Sequence, residues 1–202
     1  MLREIWSEMF ERIGAIRPPA AQPLIDVYSD ASRSYHNLEH IENCLKELRR
    51  FGELKPEIAV AIFYHDCIYD TRRDDNEALS ADFAANELRN AAVPEHHITN
   101  IRRLILATQH KSPPTEHDEQ VIVDVDLSIL GAEPSDYWRY AEAVRKEYGW
   151  VDDAAFSQGR SQFLKQMLGR PRIYSIQEIR DRYEVRAREN MLDEVALLAA
   201  EK

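Results

Sequence analysis

The apolar positions of the chain recur mostly with helical period. Leu2, Ile5, Trp6, Met9, Phe10 and Ile13 mark a first amphipathic helix that stops near Pro18-Pro19. A short second helix is expected from Ala20 to Tyr28, and the polar stretch Ser29 to Tyr35 reads as a loop. A third helix begins at His36 or Asn37, with Asn37 as its N-cap, and carries Leu38, Ile41, Leu45 and Leu48 on one face. Pro56 opens a fourth, where a missing N–H costs nothing. Its segment EIAVAIFYHDCIYD is apolar nearly all round up to His65-Asp66, which places it at the centre of the fold. Further helices are expected over Asp75–Ala92, His97–Thr108, Pro134–Tyr148, Ala154–Leu168 and Ile176–Ala200. Glu119 to Leu130 is ambiguous, because QVIVDVDLSIL alternates β-branched and acidic residues like a strand; helices on both sides favour a helix.

The pattern predicts an all-α bundle of about nine or ten helices in one domain over residues 1–202. A core over about 33–130 would carry the chemistry, and C-terminal helices over 134–200 would pack on it. Composition agrees: 44% apolar and 31% charged residues suit a globular chain, and only 6 glycines disfavour a turn-rich β fold. A formal charge of −10 disfavours nucleic-acid polymers as partners, although a locally positive pocket could still attract a small phosphorylated substrate. No apolar run approaches the ~18–20 residues of a membrane span, and the start MLREIWSEMF is unlike a secretory leader. With Cys44 and Cys67 as the two cysteines, the expectation is a cytoplasmic protein with reduced thiols. A homodimer through an amphipathic helix is left open.

Three clusters carry candidate chemistry. His65-Asp66 ends the most apolar helix, and an imidazole beside a carboxylate in a core costs desolvation energy that a divalent cation would offset. The alternative is a structural pair in which Asp66 accepts from His65. Upstream, YHNLEH spaces His36 and His40 i, i+4, on one helix face. Two such imidazoles can share a metal, or one can bind it while the other donates a proton; they can also be ordinary exposed histidines. Downstream, VDVDLSILG sets Asp124 and Asp126 two apart, about 200° around a helix, so at most one is a direct ligand, and either alone can be a solvated helix-face charge.

In chain order these clusters read H…HD…D, which resembles the HD-domain phosphohydrolase superfamily. YHNLEH is similar to the YHNxxH motif of cyclic-nucleotide phosphodiesterases. The set YHNLEHI, FYHDCIYD, DNEALSA, VDVDLSILG and the late REN resembles the uncharacterised bacterial proteins described as predicted metal-dependent HD-superfamily hydrolases, over roughly residues 33 to 192. The resemblance implies an HD-like bundle with His40, His65, Asp66 and Asp126 as metal ligands, Asp124 being the rival for Asp126. It implies His36 as general acid and Asp66 as the group that orients a water or bridges to a second cation. Arg33 could pair with a substrate phosphate, although a surface arginine fits equally. Asp70, Asn76 and Glu77 are further candidates for the pocket, with cap or helix-bridging roles as alternatives.

The expected cofactor is one divalent transition metal, Mn, Fe, Co, Ni or Zn. A second ion remains open, with His110 as its candidate ligand; His96, His97 and His117 lie in the same region. Cys67 is expected to be a buried small hydrophobe. The implied activity is hydrolysis of a phosphate ester of a nucleotide or small metabolite, by a phosphomonoesterase or phosphodiesterase. The alternatives are a di-iron oxygenase of HD type and a non-catalytic nucleotide-binding sensor. The alternating charges of the last helix read first as a solvated, salt-bridged face, with Arg188 and Asn190 reaching inward as the alternative.

Overall fold

The computed structural model describes residues 2–200. The described residues form ten α-helices and one 3-10 turn, with no strand. No helix among them is long and apolar enough to cross a membrane. The chain divides into two compact units, the first up to Val123 and the second from Asp124.

The first unit holds α1 (Leu2–Arg12), α2 (Gln22–Tyr28), α3 (Leu38–Arg50), α4 (Pro56–Tyr64), α5 (Asn76–Asn90), α6 (Glu95–Ala107) and most of α7 (His117–Asp126). At its centre is α4, in which every residue from Ile58 to Tyr64 is buried. Helices α1, α3, α5 and α6 all pack on it. A helix with no polar face needs neighbours on every side, so its composition determines its place. Trp6 of α1 shows how closely they meet, with its ring edge-on to Phe63 at 5.1 Å while its indole N–H donates to Pro19 O at 2.8 Å. Asn37 caps α3, its Oδ1 accepting from the N–H groups of Glu39 and His40.

The QVIVDVD segment is helical and continues into the 3-10 turn Leu127–Gly131. Val121, Ile122, Val123 and Val125 are all buried, so the alternation that mimics a strand belongs to a helix enclosed on several sides. The second unit adds α8 (Pro134–Glu147), α9 (Asp153–Leu168) and α10 (Gln177–Ala200) to that turn. Helix α10 packs on both the turn and α9. Gly131 makes the approach to α10 feasible, since a Cβ there would lie 2.6 Å from Tyr183 Cβ.

The second unit has a polar interior. Arg160 donates through Nε and Nη2 to the two carboxylate oxygens of Glu194, at 2.8 and 3.0 Å, and through Nη1 to Tyr140 at 3.0 Å. Tyr137 donates its hydroxyl to the same carboxylate. On α10, Arg188 keeps the expected salt bridge, to Glu184, while Asn190 takes the inward alternative. Asn190 is buried and its Nδ2 donates to the carbonyls of Leu130 and Ala132 at 2.9 and 3.0 Å. Arg188 turns its donors to the carbonyls of Leu168 and Arg170. Both residues tie α10 to loops, where carbonyls at the ends of helical segments need donors.

Candidate metal centre

The site forms in the first unit, where α4 ends and α3 begins. Helix α4 closes at Tyr64, and His65 and Asp66 follow in a tight turn that stays buried. His40 lies in the first turn of α3, held there by the Asn37 cap. His65 Nε2 is 3.1 Å from His40 Nε2 and 3.0 Å from Asp66 Oδ2, and His40 Nε2 is 3.7 Å from that same oxygen. The imidazole of His40 and the adjacent pair His65-Asp66, 25 residues on from it, thus aim one atom each at one point. This group can hold a metal ion.

The chemistry of the donors fits a cation. His65 Nδ1 is 2.8 Å from the carbonyl oxygen of Ile62, which can only accept, so Nδ1 carries the proton. In the neutral ring Nε2 then presents a lone pair to a carboxylate oxygen 3.0 Å away. Two lone pairs that close repel unless a proton or a cation sits between them. A backbone carbonyl that fixes the tautomer of an imidazole is also the usual support of a histidine ligand. With the cluster metal-free and its rings protonated, burial pushes the Asp66 carboxyl upward, but the positive charge of His65, a hydrogen bond from it, and the charges of His36 and His40 outweigh burial and hold the carboxyl below the usual carboxylate range. Cys44 Sγ lies 3.9 Å from both ring nitrogens of His40. Burial raises the Cys67 thiol to about 11, which agrees with a small buried hydrophobe.

His36 stands beside the cluster, its ring 5.9 Å from that of His40 and stacked on Tyr69 at 4.1 Å. Arg33 directs its guanidinium to backbone carbonyls. Its Nη1 donates to the carbonyls of Asp66 at 2.7 Å and His36 at 3.1 Å, and its Nη2 to that of Cys67 at 3.2 Å. The guanidinium also lies over the rings of Tyr28, at 5.1 Å, and Tyr69, at 5.7 Å. Arg33 therefore joins the His36 segment to the His65-Asp66 turn.

The DNEALSA motif holds that turn from the other side. Asn76 Oδ1 accepts from Asp70 N–H at 3.1 Å while its Nδ2 donates to Asp70 O at 2.9 Å. Ser80, one turn further along α5, accepts from Ile68 N–H at 3.0 Å and donates to Ile68 O at 3.2 Å. Asp70 is exposed and its carboxylate accepts from Arg72 N–H, while Glu77 sits half-buried in the first turn of α5. Tyr69 and Ser80 are the residues that sequence reasoning missed. Both lie within the motifs already quoted, Tyr69 in FYHDCIYD and Ser80 in DNEALSA, but neither is singled out there.

Of the two distal acids, Asp124 is wholly buried, and its Oδ2 accepts from Ile176 N–H at 2.6 Å where α10 begins. Burial raises this carboxyl to about 6, against the pull of the Ile176 and Ser175 backbone bonds and of Arg180. Asp126 is half-buried at the last position of α7. His110 follows α6 with a positive φ of 55° and belongs to no group of metal donors found among the described residues. His97 pairs with Glu57 at 2.7 Å and His117 with Glu53 at 3.1 Å. Compared with known proteins, the chain matches no family model, no curated protein and no solved structure.

Proposed function

We propose that the chain is a metal-dependent phosphohydrolase of HD type, acting on a phosphate ester of a nucleotide or small metabolite. The observation that carries this reading is the convergence of His40 Nε2, His65 Nε2 and Asp66 Oδ2 within 3.7 Å of one another. These three side chains would hold a divalent ion, and Asp126 is the expected further donor on the resemblance alone. Mixed imidazole and carboxylate donors suit Mn, Fe, Co, Ni or Zn. A cation held there supplies Lewis-acid chemistry to a water and to a phosphoryl oxygen.

The remaining roles belong to the chain. Asp66, as a carboxylate, would orient a water. His36, half-buried beside His40, donates a proton to the departing ester oxygen. Tyr69, stacked on that ring, holds it in plane. Arg33 keeps the two ligand-bearing segments at their spacing.

The test is a hydrolysis screen of nucleotides and simple phosphate esters on metal-stripped protein reloaded with each of the five metals. Activity is expected with at least one metal and none without. Asp66→Ala should lose both turnover and bound metal; full metal occupancy in that variant would show that the site is misassigned.

A further inference from the structure

A cleft of about 690 Å³ runs along α6 in the first unit, and none of His36, His40, His65 or Asp66 lines it. Its volume lies within the range of small-molecule sites. Four cationic side chains line it, Arg89, Arg102, Arg103 and Lys111, against the carboxylates of Glu95 and Glu119. Three of the four are ion-paired, Arg89 with Glu95, Arg102 with Asp82 and Arg103 with Glu119, so the cleft keeps only a small excess of positive charge, on a chain whose formal charge is −10. A concave wall concentrates that excess toward an anion.

The cleft is built by the fold. After α6 the chain reverses at His110, whose φ is 55°, and the segment 111–115 forms the wall facing the helix. Pro113 and Pro114 stiffen that segment, since each fixes its own φ and restricts the residue before it. Gln120 Nε2 donates to Thr115 O at 3.3 Å, and Arg103 pairs with Glu119, so both the wall and the start of α7 are tied down. Residues 95, 98, 99, 102, 103 and 106 recur at helical spacing and face the cleft together.

Its arginines are oriented rather than consumed. Arg102 rests Nε and Nη2 on one oxygen of Asp82, at 3.1 and 2.8 Å, and Arg89 meets Glu95 at 3.2 Å. A guanidinium has five N–H donors, so each keeps donors for a ligand. The planar fork matches a phosphate oxyanion. Ile98 and Leu106 supply an apolar floor between the charges.

We propose that this cleft is a binding site for a small phosphate-bearing molecule, its anionic group on Arg102, Arg103 and Lys111 and its apolar body against Ile98 and Leu106. The assignment goes beyond the metal centre and does not depend on it.

Phenylphosphonate is the probe, because its carbon–phosphorus bond survives a phosphohydrolase. It is titrated into the metal-free full chain while backbone amides are followed by NMR. Saturable shifts are expected at Thr99, Arg102, Arg103, Gln109 and Lys111. The double variant Arg102→Gln/Lys111→Gln should bind at least about tenfold more weakly. Asp66→Ala should bind as the parent does, which separates this site from the metal centre. Shifts centred on His36 and His65 instead would overturn the proposal, and so would equal binding by the double variant. Equal binding of benzyl alcohol would do the same, since no anion would then be recognised. If a poly-glutamate peptide binds the cleft and phenylphosphonate does not, the surface serves an acidic polypeptide and the small-molecule site is wrong.

Discussion

Arg33 donates to the backbone carbonyl of Asp66 at 2.7 Å, so a charged side chain in a loop holds the residue that carries the candidate metal-binding carboxylate. The same guanidinium reaches the carbonyls of His36 and Cys67 and lies over two tyrosine rings. Lysine keeps the charge but not the fork or the stacking. Arg33→Lys should cost about 1–3 kcal/mol in urea unfolding of the metal-free chain. It should also weaken metal retention by about 10- to 100-fold in a chelator competition, as loss of a supporting contact does. A variant with unchanged stability and metal affinity but a raised KM would instead place Arg33 on the substrate.

The two aspartates of VDVD should separate by assay. Asp124 is engaged at the start of α10 through Ile176 N–H. Asp124→Ala removes that acceptor and should lower stability by about 1–2 kcal/mol, as a lost cap does. Asp126→Ala should reduce bound metal by more than Asp124→Ala does, read by elemental analysis of each folded variant. The reverse pattern would make Asp124 the ligand.

Ser80 holds both polar groups of the Ile68 backbone. Ser80→Ala leaves them without that partner in a half-buried place, at a cost of about 1–3 kcal/mol. Hydrogen exchange should quicken at Ile68 and at the neighbouring Cys67 more than in α4. Uniform quickening across the first unit would mean that Ser80 acts on global stability alone.

Gly131 meets Tyr183 where a methyl group cannot fit, with a virtual Cβ 2.6 Å from Tyr183 Cβ. Gly131→Ala should therefore destabilise the chain by about 1–3 kcal/mol despite the small change in size. Gly159, where a Cβ would meet nothing within 4 Å, provides the control, and Gly159→Ala should be neutral or slightly stabilising in thermal unfolding.

Helix positions were legible because they depend on local spacing. The α4 segment announced its central place through the absence of a polar face, and Asn37 announced a cap that the structure uses. The approach of His40 to His65 was legible only as motif order; no local rule brings residues that far apart in sequence to 3.1 Å.

By itself, the sequence determined the all-helical class, most helix positions and the residue types able to hold a metal, since periodicity, caps and donor chemistry act over a few residues. The tertiary structure alone decided where polar side chains spend their hydrogen bonds. Arg33 donates to three carbonyls, Asn190 to two others from the interior, and Asp124 accepts at the start of α10. The physical reason is that a buried donor or acceptor must find a partner. Which partner lies within reach depends on how distant segments pack.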